Sequence, residues 1–416
     1  MMHSLMAAHL LADSAFSDWD TVIIKDEPFE EPSDLVEEES CLDLEIQEEI
    51  DLQYIEGIKR FSNKVLQKKI KESTSENQLI SPLGISFLLS MLKHGVGIEN
   101  QIEIENIVEL PRDENALKKS SFGLINRLKK NGLDIAGLLY LNEKYQLNPN
   151  YQSLVCRYYL SKVKSGHSAH EINGWVEEMT NGQIKKLVNQ SDLHHFFVLV
   201  ANAIHFKADW AVQFKKMNTY PDSFLTPTGV IQTAMMHKTD RVDYVEHDDY
   251  QAIRLPYDGT LCSMLLILPK EENDFSFIEH SNLETILKGL KSQIVKIGLP
   301  IFKIEQEVNV KELLHHMGMT SLFQHPDFAP LIDQQHLPSL AALSALEMTQ
   351  MKQKSVLVCD EQGIEASSLT SGTIKLTSAP QPLAIDRRII FNRPFLVVLL
   401  GPQVPILFGI IRDPSS

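Results

Sequence analysis

A chain of 416 residues with 43% hydrophobic residues has ample material for a buried core, and a formal charge of −16 argues against a nucleic-acid partner. No run of eighteen apolar residues is present, which excludes a helix long enough to span a membrane. The four cysteines, Cys41, Cys156, Cys262 and Cys359, lie far apart with no CxxC or Cys/His ligand spacing, so they read as buried thiols and support neither a disulfide framework nor a zinc site.

The charge is unevenly placed. Residues 1–51 hold sixteen Asp and Glu against the single Lys25, a net of −15, which leaves about −1 for everything after. The acidity therefore belongs to an N-terminal extension and not to the fold. Within it, Leu5 to Ala12 is a short apolar core of the kind a secretory leader carries, though His9 interrupts it and no Lys or Arg precedes it, so the residues alone leave both readings open. From Asp26 to Asp51 thirteen acids run without a base between Pro28, Pro32 and sparse Leu and Ile. Like charges repel and little apolar surface is available, which predicts disorder in isolation. The pattern changes at Leu52, so the expected division is an acidic extension over 1–51 and one folded domain over 52–416.

Tyr54, Ile58, Phe61, Val65 and Leu66 recur at helical spacing and predict an amphipathic helix. Ile85 to Leu92 predicts a buried apolar helix closed by His94-Gly95-Val96-Gly97; this Gly pair lacks the preceding strand a phosphate loop needs and reads as a helix end. Ala116 to Lys130 predicts a further helix, with Leu117, Leu124, Ile125 and Leu128 on one side and Lys118, Lys119, Arg127, Lys129 and Lys130 on the remainder. Leu133 to Leu141 reads as strand, Ile172, Val176 and Met179 around Trp175 as helix, and Phe196 to Phe206 as a strongly apolar strand. Further strands are expected at Ala252 to Leu255, Ser263 to Leu268, Ile294 to Phe302, Ser355 to Asp360, Phe395 to Leu400 and Pro405 to Ile411. The last two, joined by Gly401-Pro402-Gln403, predict a buried antiparallel hairpin.

Glu361-Gln362-Gly363-Ile364-Glu365-Ala366-Ser367-Ser368-Leu369-Thr370 opens a long polar run to Arg388 without the large side chains a core needs. Extended, Ile364, Ala366, Ser368, Thr370 and Gly372 share one side, so the segment suits solvent and equally a slot between strands. Pro380 and Pro382 hold the residue before each out of the helical region, which makes Lys375 to Pro382 an extended, accessible bait. So long a stretch with no packed element of its own is usually functional.

This stretch resembles the hinge and reactive-centre loop of the serpins, the serine protease inhibitor family, whose hinge reads Glu-Glu-Gly-Thr-Glu-Ala followed by small residues. Gln362, Ile364 and Leu369 depart from that pattern. Phe391-Asn392-Arg393-Pro394-Phe395 is similar to the family's C-terminal signature. Asn77 to Pro82, Ile172 to Val176 with Thr180 to Ile184, Ala201 to Ile204 with Phe206, Lys207 and Trp210, Leu255 to Tyr257, Leu299-Pro300 with Phe302 to Ile304, and Met317 to Met319 with Phe323 fall in the family's order. The resemblance covers residues 52–416. It implies an α+β domain of three β-sheets with eight or nine helices and an exposed reactive-centre loop over the end of the large sheet.

The resemblance further implies an inhibitor and not an enzyme. A target protease, a serine endopeptidase or a cysteine protease, attacks the bait and forms an acyl-enzyme; the hinge, Glu361, Gly363, Ile364, Glu365, Ala366, Ser368 and Thr370, then enters the large sheet. Family spacing from Glu361 sets the scissile bond at Thr377–Ser378, with Leu376 and Lys375 as alternatives in a slid register. The family's shutter, two Ser, an Asn and a His, corresponds to Ser81, Gly84, Asn202 and Gln353, of which Gly84 and Gln353 depart. A non-inhibitory serpin acting as carrier, storage protein or chaperone is the alternative that Ile364 and this shutter leave open. Lys118, Lys119, Arg127, Lys129 and Lys130 sit where heparin-activated members bind a sulfated glycosaminoglycan, and those members include one with a similar acidic extension. The expected protein is an extracellular, secreted monomer with no membrane contact, and Asn189-Gln190-Ser191 is its glycosylation acceptor. No cofactor or metal is expected. His194-His195, His315-His316 and His167 with His170 have no carboxylate or thiol to complete a ligand set, and no Gly-x-Ser-x-Gly elbow or His-Glu-x-x-His occurs.

Overall fold

The computed structural model describes residues 49–72, 75–194, 196–339, 343, 346, 348–364 and 387–415. The acidic extension up to residue 48 and the bait between residues 365 and 386 lie outside the described residues.

The chain enters through α1 (Leu52–Ile70), N-capped by Asp51, whose carboxylate accepts from Gln53 N; the five apolar residues at helical spacing, Tyr54 to Leu66, are all buried. A short strand β1 (Gln78–Ile80) leads through the N-cap Ser81 into α2 (Pro82–Lys93), which is buried along its whole length. After α3 (Ile98–Val108) comes α4 (Glu114–Lys129), which buries Leu117, Leu124, Ile125 and Leu128. Then follow β2 (Leu133–Asn142), α5 (Pro149–Tyr159), β3 (Lys162–Gly166), α6 (Ala169–Met179), β4 (Val198–Phe206) and, one residue beyond it, β5 (Ala208–Asp209). The middle of the chain supplies β6 (Thr219–Thr226), β7 (Gly229–Glu246), β8 (Tyr250–Pro256), β9 (Ser263–Pro269), α7 (Phe277–His280), α8 (Leu283–Gly289), β10 (Lys291–Pro300) and β11 (Phe302–Asn309). The last part holds α9 (Val310–His316), α10 (Ser321–Gln324), β12 (Met348–Cys359), β13 (Gly363–Ile364), β14 (Arg387–Ile390), β15 (Phe395–Leu400) and β16 (Pro405–Ile411). Among the described residues there are thus ten α-helices, two of them only four residues long.

The strands form three sheets. The nine-stranded sheet runs β1-β16-β15-β9-β8-β7-β10-β14 with β6 on β7, the five-stranded sheet runs β11-β12-β4-β2-β3, and β13 pairs with β5 alone. The expected hairpin of β15 and β16 sits inside the larger sheet, between β1 and β9, with every residue of both strands buried. The five-stranded sheet is covered on both faces. Leu139, Leu141, Val198, Val200 and Met351 join the core that contains α2, while Leu138, Tyr140, Leu199 and Ala201 pack with Ile172, Trp175 and Val176 of α6. Burial on both faces explains why β4 reads as a continuous apolar run and not as an alternating one.

Two sequence expectations change. The single strand from Ile294 to Phe302 is two, β10 and β11, which belong to different sheets and part at Ile301, whose N–H makes a last bond to Ala234 O of β7 before the chain crosses to the other sheet. Cys262 and Cys359 are free and buried, but Cys156 on α5 is disulfide-bonded, because pairing follows spatial proximity and not sequence spacing.

Candidate functional site

β4 and β12 are parallel neighbours, yet their ladder covers only part of their length. It runs from Val198–Met348 to Asn202–Gln353 and stops, although β4 continues to Phe206 and β12 to Cys359. β12 stays fully paired on its other side with β11 as far as Cys359, so the loss of pairing is confined to the β4 side. The unzipped half holds a cleft lined by Ile204, His205, Phe206, Val356 and Val358, with Thr180, Gln183 and Ile184 from beyond the end of α6. Its volume of ≈ 20 Å³ suffices for a water molecule and not for a strand, so the cleft is a parting seam and not an open slot.

The hinge begins at the mouth of this seam. Asp360 makes a tight turn in which its carboxylate accepts from Gln362 N at 2.8 Å and Gly363 N at 3.0 Å. Gly363 and Ile364 then run antiparallel to β5, opposite Asp209 and Ala208. A new strand between parallel β4 and β12 would have to be antiparallel to both, and β13 already has that direction. Three more bonds fix the turn: Trp210 N donates to Gln362 O (2.7 Å), Phe214 N to Glu361 O (2.9 Å) and Trp210 Nε1 to Asp360 O (2.9 Å). Trp210 is buried and stacks on Tyr257 at 4.6 Å with an interplanar angle of 12°, while Lys238 lies 4.5 Å over the Phe214 ring. Beneath the turn, burial pushes the Cys359 thiol far above its usual range, so it stays a neutral packing group.

Lower in the sheet, Gln353 faces α2. Its Oε1 accepts from Ser81 N at 2.7 Å and its Nε2 donates to Ser81 O at 2.9 Å. Ser81 Oγ accepts from Gly84 N and donates to Ile406 O of β16. Asn202 Nδ2 donates to Ala136 O of β2, while among the described residues its buried Oδ1 has no partner. The structure thus brings Ser81, Gly84, Asn202 and Gln353 together. On the opposite face the residues flanking Gln353 reach toward α6: Lys352 Nζ lies 3.0 Å from Asp192 Oδ2 and 3.1 Å from Glu307 Oε1, and Lys354 Nζ donates to Lys186 O at 3.0 Å.

Other expected site residues are dispersed or undescribed. Glu361, Gly363 and the backbone of Ile364 are at the seam, while Glu365, Ala366, Ser368, Thr370, Lys375, Leu376, Thr377 and Ser378 lie outside the described residues. On α4, Lys129 and Lys130 are exposed, whereas Lys118 leans over the Tyr158 ring at 5.7 Å and Lys119 pairs with Glu49 at 3.5 Å. Arg127 is half-buried on the same helix, and Asn189 is exposed just before a 3₁₀ turn over Gln190–Leu193. Sequence reading missed the seating role of Trp210, Phe214 and Asp360. The Asp360 to Gly363 spacing carried a turn signal, but nothing local linked Trp210 to a segment 150 residues away.

A family model described as Serpin (serine protease inhibitor) matches residues 56–414. An uncharacterized serpin-like protein of Thermococcus kodakarensis is 32% identical over 361 residues, covering 82% of each chain. Serine protease inhibitor 42Dd of Drosophila melanogaster is 30% identical over 326 residues, 74% of this chain and 85% of its own. Among solved structures, a thermophilic serpin, tengpin, in the native state superposes with a TM-score of 0.77 at 25% identity, over 88% of this chain and 95% of that one.

Proposed function

This chain belongs to the serpin family of serine protease inhibitors, and from that premise we propose that it traps a serine endopeptidase as a covalent acyl-enzyme. The protease serine Oγ attacks the bait carbonyl, here Thr377, with Leu376 or Lys375 as alternatives. The bond to the following nitrogen breaks, that nitrogen leaves with a proton from the protease histidine, and an ester joins the two proteins. The freed hinge then continues the course that Gly363 and Ile364 have begun, down the seam between β4 and β12. Each ladder bond so gained is worth about 0.5–1.5 kcal/mol net, and a full strand of them outweighs the loss of the short β4–β12 ladder. The attached protease is carried along, and its catalytic geometry is disturbed before water can cleave the ester.

The observation that carries this reading is the unzipped upper half of β4 and β12 with the hinge already antiparallel at its mouth. The basic residues of α4 support a sulfated glycosaminoglycan as an accessory partner. Incubation with elastase, chymotrypsin and trypsin panels, followed by denaturing gels and sequencing of the new N-terminus, tests the proposal. A stable adduct of inhibitor plus protease is expected. Clean cleavage with no adduct across the panel would instead favour a carrier, storage or chaperone role.

A further inference from the structure

His237 lies midway along β7, and its imidazole is buried without a polar use. The side chain is 11% exposed, and among the described residues neither ring nitrogen has a hydrogen-bond partner. Tyr220 of β6 stacks on the ring at 4.4 Å with an interplanar angle of 12°. In the sheet His237 is opposite Gly298 of β10, and Gly298 is opposite Ile390 of β14. A Cβ built on Gly298 would lie 3.1 Å from His237 Cε1 and 2.8 Å from Ile390 Cδ1, so imidazole and isoleucine close over the same bare position of the strand between them. Buried polar atoms are ordinarily satisfied, and an apolar ring would fill this place without leaving two nitrogens unpaired.

The charges around this ring are of both signs. Asp222 of β6 has its Oδ2 3.9 Å from His237 Nε2, too far for a hydrogen bond. Lys296 of β10 and Arg388 of β14 are direct neighbours across the two strands, both exposed, and Arg241 follows Thr239 on the face of β7 that carries His237. Burial holds the imidazole below its ordinary value; Asp222 pulls the other way, and Lys296 and Arg388 add to the lowering. The docked sheet therefore favours the neutral ring. β14 is the terminal strand of its sheet, four residues long, and among the described residues it pairs with β10 alone. Its departure removes both Ile390, which helps to cover the ring, and Arg388, which repels a proton there.

We propose that His237 makes the docking of β14 pH-sensitive: proton uptake by its imidazole favours the form in which β14 has left the edge of the sheet, which loosens the chain where it leaves the bait. Once β14 has gone the ring is an ordinary histidine, with a value near 6.5. The undocked form then binds the extra proton, so docking strength present above pH 6.5 is lost as pH falls, until the docked ring titrates as well. The device belongs to the fold and does not rest on protease trapping. His237 acts through β14 and is a positioning residue.

Hydrogen exchange of the uncleaved full chain at about pH 7.5 and about pH 5, corrected for the intrinsic effect of pH on exchange, tests this. The reporters are the amides of β14 and of Phe391, whose N–H donates to Gly298 O at 2.8 Å, and the amides of β15 and β16 are the reference for global opening. Protection of the reporters relative to that reference is expected to fall about fivefold or more, with a ceiling of about thirtyfold set by an undocked value near 6.5. His237→Phe keeps a ring against Tyr220 without the proton and is expected to abolish the fall. A fall that survives this substitution, or one smaller than about twofold in the native chain, would overturn the proposal. Should His237→Phe fail to fold, Arg388→Gln at an exposed position removes the cation that opposes the docked proton and is expected to shrink the fall by about twofold. An undiminished fall would then overturn it. Absence of protease adducts leaves these results standing, and a flat profile leaves the inhibitor reading untouched.

Discussion

Gly363 lies against Ala208 with no room for a side chain. A Cβ at residue 363 would fall well inside contact distance of Ala208 O, 2.8 Å from Asp209 Cα and 2.9 Å from Trp210 N, and the φ of +152° adds a conformation L residues avoid. Since the obstructing atoms are backbone, the hinge and not β5 must yield. Gly363→Ala is expected to lift the hinge from its seat at a cost of about 1–3 kcal/mol. Initial strand entry then slows, and the share of inhibitor released as cleaved product rises several-fold relative to adduct on a denaturing gel. An unaltered partition would rule out a role for this seat.

Cleaving the loop is expected to raise the thermal midpoint sharply, because a strand joins the middle of the five-stranded sheet. Ile364→Arg places a charge on the entering segment and is expected to abolish that rise, since an unpaired buried charge outweighs the ladder bonds around it. If the register of Ile364 with Ala208 continues down β4, Thr370 comes opposite Asn202, whose Oδ1 has no partner among the described residues of the uncleaved protein. Thr370→Val is then expected to cost about 1 kcal/mol in the cleaved protein and almost nothing before cleavage. Calorimetry of both forms checks the pair, and an equal effect on the two would exclude this register.

The parts of this arrangement that sequence could disclose are those where one local pattern decides the outcome. The helical spacing of Tyr54 to Leu66 and the apolar runs of β15 and β16 each face the core in the manner their patterns dictate. β7 escaped notice because His237, Lys238, Asp240, Arg241 and Asp243 interrupt its apolar side chains midway, and its pairing with β6, β8 and β10 carries the strand through that polar stretch. The break at Ile301 carries no Gly or turn pair to announce it. Gln353 could be seen as donor and acceptor, but its choice of the Ser81 peptide depends on a contact across 272 residues and on the space left at Gly84.

Lys352 and Lys354 stand on β12 beside the seam, bonded to Asp192 and to Lys186 O, and strand entry is expected to break these two contacts, whereas the Lys352–Glu307 pair joins β12 to β11 on the far side and is kept. Burial lowers the proton affinity of Lys352, but the carboxylates of Asp192 and Glu307 outweigh it and hold the ammonium above its usual range. Both contacts are partly exposed, so Lys352→Ala is expected to lower stability of the uncleaved protein by only about 0.5–1 kcal/mol. The same change should speed adduct formation measured by stopped-flow inhibition of the target protease. A slower reaction would mean that these lysines guide the strand in and do not hold it out.

His94 follows α2 and bonds Tyr159 OH at 2.9 Å. Burial, aided by the charges of Lys93 and Lys118, pushes it down to about 3. Between that value and its ordinary value near 6.5 the unfolded chain binds the extra proton, so the stability held above pH 6.5 is lost as pH falls. The loss is about 2 kcal/mol at pH 5. Comparing unfolding midpoints of the native chain and His94→Gln from pH 7 to pH 5 checks this, with the variant expected to show a flatter profile by that amount.

Glu49 pairs with Lys119, and Asp51 both caps α1 and donates its N–H to Ser120 Oγ at 2.9 Å. A truncation meant to free the basic face of α4 should therefore stop at residue 48, since removing Asp51 also strips a cap worth about 1 kcal/mol. If the acidic extension and a polyanion share the α4 surface, deletion of residues 1–48 combined with Glu49→Gln is expected to raise the salt concentration needed to elute the protein from heparin. Equal elution would show that the extension does not cover that surface.

The bait is anchored at its two ends in different sheets, by β13 on β5 before it and by β14 on β10 after it. Everything after β14 includes β15 and β16, which sit in the interior of the nine-stranded sheet and share no covalent link with the hinge once the bait is cut. A single cut therefore yields two polypeptides that remain one particle. Under native conditions the nicked protein keeps the hydrodynamic size of the intact one, and only denaturation releases the short C-terminal piece.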